Sequence, residues 1–218
     1  MPDLIQVRKK LESLASTLSG RDGFHAGLSS NHNAVELEFG QALYGAIIHN
    51  KSVSVVELGT GAGYSTTWML LALEKNENGY LWSLDPSVPQ PPVWETVGCP
   101  TGRLIYINEV LEDGYDQLPK RIDLLFHDAS HDFATIIKDL ELLIPRISKD
   151  GHIVVHDVNY NRRMGDALQE WFEQKSDEWT YQEISSGCGI GIAKRIAVPV
   201  VLEKPKIKQR RVKSGRQN

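Results

Sequence analysis

The sequence predicts an α/β fold in which a largely parallel sheet carries helices on both faces. Three observations predict it. From about residue 50 to residue 194, short β-branched apolar runs alternate with stretches of helical periodicity, the pattern of strand–helix–strand units. A glycine-rich turn, Gly59 to Gly63, separates the first such run from a helix-capable segment. Finally, Glu57, Asp85, Glu109, Asp128 and Asp157 all fall at carboxyl ends of predicted strands, the side of such a sheet that binds ligands.

The chain has 218 residues, enough for one sizeable core and too few for two comfortable ones. Its hydrophobic content of 41% is ordinary. No apolar run approaches the ~20 residues of a membrane span, and the start MPDLIQVRKK lacks the apolar core and cleavage site of a signal peptide, so a cytoplasmic location is expected. Cys99 and Cys188 show no metal-binding spacing and read as reduced structural thiols. The net charge of −4 hides an asymmetry: from Arg195 onward eight basic residues face one acid, leaving 16 basic against 27 acidic side chains before it. An acidic body argues against a broad nucleic-acid-binding face. The expected organisation is a helical extension over 1–50, a core domain over 51–194 and a basic, disordered tail over 195–218.

In chain order, Leu4, Val7, Leu11, Leu14 and Leu18 recur at three- and four-residue steps and predict an amphipathic helix that Asp3 can cap. Residues 19–33 are glycine-rich and polar, hence loop, and a second helix is predicted from Ala34 to Asn50. The first strand is Val53–Glu57. A helix follows Gly63, then a second strand, Tyr80–Leu84, ends at Asp85, about 26 positions beyond Gly59. That is near the offset at which dinucleotide-type folds place an acid on ribose hydroxyls; a turn acid before Pro86 is the alternative. Beyond a proline-rich loop, a third strand over Arg103–Ile107 leads to Glu109 and a helix over Val110–Leu118. The fourth strand, Ile122–Phe126, runs into HDASHDF and a helix from Asp132 to Ile144, stopped by Pro145. The fifth, His152–Val155, closes on His156 and Asp157. A helix over Met164–Gln174 precedes two apolar-rich stretches, Trp179–Ile184 and Gly189–Ala193, joined by Ser185-Ser186-Gly187.

The glycine spacing selects the ligand class. A dinucleotide fingerprint wants a third small residue where this chain has Tyr64. Glu57, Gly59, Gly63, Tyr64 and Ser65 instead satisfy E-x-G-x-x-x-G-Y-S, which resembles motif I of class I S-adenosylmethionine-dependent methyltransferases. The Tyr-Ser ending resembles the O-methyltransferase branch related to the caffeoyl-CoA and catechol enzymes. That resemblance, spanning about residues 50 to 194, implies a Rossmann-like fold with a seven-stranded sheet in the order 3-2-1-4-5-7-6, ended by an antiparallel hairpin. It also implies S-adenosylmethionine as cofactor, held by Glu57, Gly59, Gly61, Gly63, Tyr64, Ser65, Asp85 and Asp128, with Glu109 toward the adenine. Glu109 is equally explained as a first-turn acid of the next helix.

LLFHDASHDF followed by DGHIVVHDVN resembles the members in which a D-G-S-H pattern and a later h-D frame the active site, with Ala129 in place of the glycine. The resemblance assigns Asp128 and Asp157 to a divalent cation such as Mg2+. The relatives' third ligand is an Asn after the second Asp; this chain has Val158 there, with His156 and Asn159 nearby. Without metal, Asp128 lines the cofactor's methionine end and Asp157 orients a histidine. His131 holds the offset of the relatives' basic lysine, and imidazole suits a general base near neutral pH; His156 is the second candidate, and a helix-capping role is the alternative for His131. By the same resemblance the N-terminal extension covers the active site, bringing Phe24, His25, Asn31 and His32 toward substrate, where an ordinary surface loop is the alternative. Tyr64, Trp68, Phe133, Tyr160 and Trp171 are candidates for the pocket wall, or for packing alone.

The expected activity is methyl transfer to a hydroxyl of a small molecule by an enzyme whose relatives commonly form homodimers. Two other readings stand beside it: an NAD-dependent oxidoreductase, against which Tyr64 and the terminal hairpin speak, and a nucleic-acid methyltransferase or binding protein using the basic tail.

Overall fold

The computed structural model describes residues 3–15, 30–87, 91–159, 162–185 and 188–196, without the side chains of 15, 30–36 and 162. Phe24, His25, Tyr160, the Ser186-Gly187 turn and the tail from residue 197 lie outside the described residues, as do the side chains of Asn31 and His32.

Seven strands form one sheet: β1 (Ser54–Leu58), β2 (Tyr80–Leu84), β3 (Leu104–Ile107), β4 (Ile122–His127), β5 (Ile147–His156), β6 (Trp179–Ile184) and β7 (Ile190–Arg195). Their order is β3-β2-β1-β4-β5-β7-β6, as expected. β1, β2, β3, β4 and β5 pair in parallel, and β7 runs antiparallel to both β5 and β6. Every residue of β1 is buried, as befits the middle of a sheet covered on both faces.

Successive strand residues point to opposite faces, so β4 feeds two cores. Leu124 and Phe126 join one cluster with Leu11 of α1 (Leu4–Ala15), Phe39, Leu43 and Ile47 of α2 (Ser30–Asn50) and Trp68 of α3 (Tyr64–Asn76). Leu125 joins the other, with Ile136, Leu140 and Leu143 of α6 (Phe133–Leu143) and Leu168 and Phe172 of α7 (Arg162–Glu173); Ile122 also lies there, because the β4–β5 register shifts between Ile122 and Leu124 and breaks the alternation. The N-terminal extension therefore contributes α1 and α2 to one core layer.

Several elements differ from expectation: α2 already begins at Ser30, inside the stretch expected as loop, and Arg195, expected to open the tail, is the last residue of β7 and donates to the Ile147 carbonyl. A short helix α4 (Val93–Val97) follows Pro92, where proline fits the N-terminal flank of a helix. β5 begins at Ile147, not at the expected His152, because Ile147 pairs with Ile122 before the register slips at Ser148–Gly151; the polar KDG stretch thus lies within a bulged strand. α5 spans only Leu111–Gly114 and tightens into a 3-10 turn over Tyr115–Gln117. No helix among the described residues is long and apolar enough to cross a membrane.

Candidate active site

At the carboxyl end of β1 the chain turns through Gly59 (φ 89°), Gly61 (φ 50°) and Gly63 (φ 83°), a left-handed sequence that only glycine adopts without strain. Two of the three are also sterically required. A Cβ on Gly59 would lie 2.3 Å from the Asp128 carbonyl oxygen, and one on Gly63 would lie 2.3 Å from the Trp94 ring. Gly61 differs: nothing lies within 4 Å of where its Cβ would be, so this side of the turn faces open space at the start of α3. No side chain caps that helix, whose N-cap is Gly63, and its amide end favours an anionic group.

Glu57 stands behind the turn. It is fully buried and accepts hydrogen bonds from Ser65 Oγ (2.6 Å), Thr66 Oγ1 (2.7 Å) and Ser83 Oγ. Burial pushes its carboxyl up to about 7, against the opposing pull of the three hydroxyls and with a small push from Asp128. The expected cofactor acid is thus bonded to Ser65, the half-buried side chain in the first turn of α3. Tyr64 packs its ring into the apolar cluster, under the turn.

Asp85, at the end of β2, serves as both a turn acid and a loop clamp. Its Oδ1 accepts from the Ser87 amide (2.8 Å), its Oδ2 from the Gly61 amide (2.9 Å), and Tyr106 donates its hydroxyl to the Asp85 carbonyl. Glu109 is exposed just beyond β3, on the same side of the sheet.

Four titratable residues meet at the carboxyl ends of β4 and β5. His131 Nε2 lies 2.6 Å from Asp157 Oδ2; a carboxylate only accepts, so the ring N–H donates and this tautomer keeps its basic lone pair on Nδ1. His156 Nδ1 lies 3.2 Å from Asp128 Oδ1 and 3.4 Å from Asp157 Oδ1. Asp157 holds a left-handed backbone at φ 59°, rare for a non-glycine residue and common at functional sites. His131 and Asp128 are about one-third exposed, while His156 and Asp157 are buried. Asp132, not His131, caps α6 by accepting from the Thr135 amide.

Ligand atoms of Asp128, His131 and Asp157 lie within 4.8 Å of one another, so their number and spacing suit a metal. Their chemistry suits Mg2+ poorly, since it prefers oxygen donors, and the three carboxylate oxygens Asp128 Oδ1, Asp157 Oδ1 and Asp157 Oδ2 already face imidazole N–H groups. Asn159 is committed elsewhere: its side-chain amide donates to the Ser185 carbonyl and its main-chain amide to that of Cys188, tying the β6–β7 turn to the site.

Several supporting residues were not legible in the sequence. Phe39 of α2 stacks on His156, with centroids 4.7 Å apart at 19°. Ser83 and Thr66 close the shell around Glu57, and His127 pairs with Asp139 of α6 at 3.0 Å behind the sheet. Of the expected wall aromatics, Trp68 is core, Phe133 packs beside the second cluster, and Trp171 packs on Phe172 and under Lys175.

Residues 56–158 match the model of a methyltransferase domain family. The chain carries a methyltransferase domain. No curated protein matches it. Solved structures similar to it include a methyltransferase from Podospora anserina bound to S-adenosylhomocysteine (TM-score 0.64, 15% identity, 89% of this chain and 88% of that one). An O-methyltransferase from Bacillus cereus in complex with S-adenosylhomocysteine aligns at TM-score 0.60 and 15% identity, over 87% and 90% of the two chains. An O-methyltransferase from Streptomyces achromogenes involved in tomaymycin synthesis, in complex with S-adenosylmethionine, aligns at 0.59 and 17%, over 90% and 100%. These likenesses establish that the methyltransferase domain has the class I fold, hairpin included.

Proposed function

We propose that this methyltransferase moves the methyl group of S-adenosylmethionine to a hydroxyl of a small molecule, with His131 as general base. The observation that carries the reading is the 2.6 Å bond between His131 and Asp157, placed beside the glycine turn at the carboxyl end of the sheet. The fold and the ligands held by the similar solved structures support the choice of cofactor.

The open face of Gly61 and the uncapped start of α3 suit the cofactor's carboxylate end, with Ser65, whose hydroxyl proton goes to Glu57, offering its main-chain amide from the first turn of α3. Asp85 is the candidate for the ribose hydroxyls and Glu109 for the adenine side; Asp128 borders the methionine end. The cofactor supplies an already activated methyl, so the protein has to align an oxygen in line with it and take one proton. His131 takes that proton on Nδ1 while Asp157 holds Nε2–H, fixing the tautomer and stabilising the imidazolium that results. Because the expected Mg2+ does not match the donor set, no step here uses it.

The test is release of S-adenosylhomocysteine from S-adenosylmethionine across a panel of phenols, catechols, sugars and amines. His131→Ala should cut the rate on an accepted substrate about 10²–10⁴-fold with little change in cofactor binding. An unchanged rate would remove His131 from the role, and release with amines alone would overturn hydroxyl specificity.

A further inference from the structure

Two carboxylates facing one site repel each other unless something positive or hydrogen-donating lies between them. A divalent cation is one solution. In this chain a ring nitrogen occupies that position: His156 Nδ1 is 3.2 Å from one oxygen of Asp128 and 3.4 Å from one of Asp157.

The ring is held there from both sides of the chain. His156 is the last residue of β5 and only 6% exposed. Phe39, from the N-terminal helix α2, covers its face, and Phe126 of β4 meets it edge-on at 6.3 Å. Swinging the imidazole aside would break two aromatic contacts and expose apolar surface. A cation placed among Asp128, His131 and Asp157 would also have to displace the 2.6 Å His131–Asp157 bond and sit against an N–H donor.

We propose that His156 is a bridging residue that fills the cation position between Asp128 and Asp157, so that this site orients its base without a bound divalent metal. The inference rests on the function proposed above only in taking His131 as that base. The role would explain why the N-terminal extension reaches the site: Phe39 clamps the bridge.

The test is titration of Mn2+, read as the loss of the free-ion spin-resonance signal, into wild type and His156→Asp, each with and without S-adenosylhomocysteine. Wild type should leave Mn2+ free to about 1 mM. His156→Asp, which removes the bridge and adds a third carboxylate, should bind one Mn2+ at least about tenfold more tightly. Stoichiometric micromolar binding by wild type would overturn the proposal, as would a folded His156→Asp that binds no better than wild type. Should that variant fail to fold, the wild-type titration decides alone. Failure of wild type to bind S-adenosylhomocysteine would sink the cofactor reading while leaving the Mn2+ comparison intact.

Discussion

Replacing Glu57 by Gln should make the domain's stability less dependent on pH, and the direction follows from the burial of this carboxyl. In the folded chain it keeps its proton up to about 7, against a usual 4.5. Between those values the folded state binds more protons than the unfolded one, so stability falls as pH rises and the loss is complete above the folded value. The full interval corresponds to about 3.4 kcal/mol, of which about 0.8 is already lost near pH 5, leaving about 2.5 kcal/mol between about pH 5 and about pH 8.5. Gln does not titrate, so Glu57→Gln should gain about 2.5 kcal/mol relative to wild type over that range, whatever constant offset comes from exchanging an acceptor for an amide. Other titrating groups cancel in the difference. Urea denaturation of both proteins at the two pH values measures it. An equal difference at both would refute the argument that desolvation, rather than the three hydroxyls, dominates at Glu57.

Other predictions follow from single contacts. Gly59→Ala should destabilise by more than about 2 kcal/mol, since its Cβ would strike the Asp128 carbonyl at a left-handed φ; Gly61→Ala should cost about 1 kcal/mol by denaturation while weakening S-adenosylhomocysteine binding in calorimetry. Asp157→Asn should leave the fold intact, because Asn tolerates the left-handed backbone, yet lower turnover about 100-fold by removing the negative charge that fixes the His131 tautomer and stabilises its imidazolium. Phe39→Ala should cost about 3–5 kcal/mol in denaturant unfolding, a penalty that a free-standing N-terminal helix would not show.

What the sequence disclosed was local. Strand runs such as Tyr80–Leu84 and Trp179–Ile184 carry their own periodicity and appear with those bounds, and Asp85, Asp128 and Asp157 mark strand ends by position alone. What stayed hidden depends on contacts distant in sequence. Ile147 belongs to β5 only because Ile122 pairs with it, and α4 is explained by Trp94 lying against Gly63. Nothing near Phe39 in the sequence announces His156. Glu57 showed its charge and strand-end placement, but not the three hydroxyls, drawn from β2 and α3, that enclose it.

The central claim is that the Gly59–Ser65 turn and Asp85 form an S-adenosylmethionine site. Calorimetric titration of S-adenosylmethionine, S-adenosylhomocysteine and NAD into wild type and Asp85→Ala tests it most directly. The account predicts saturable binding of the two sulfur-containing ligands and none of NAD, with both affinities falling at least about tenfold in the variant, whose Gly61 amide loses its acceptor and whose strand end loses its carboxylate. Binding of NAD in their place, or adenosyl ligands that bind Asp85→Ala as tightly as wild type, would contradict it.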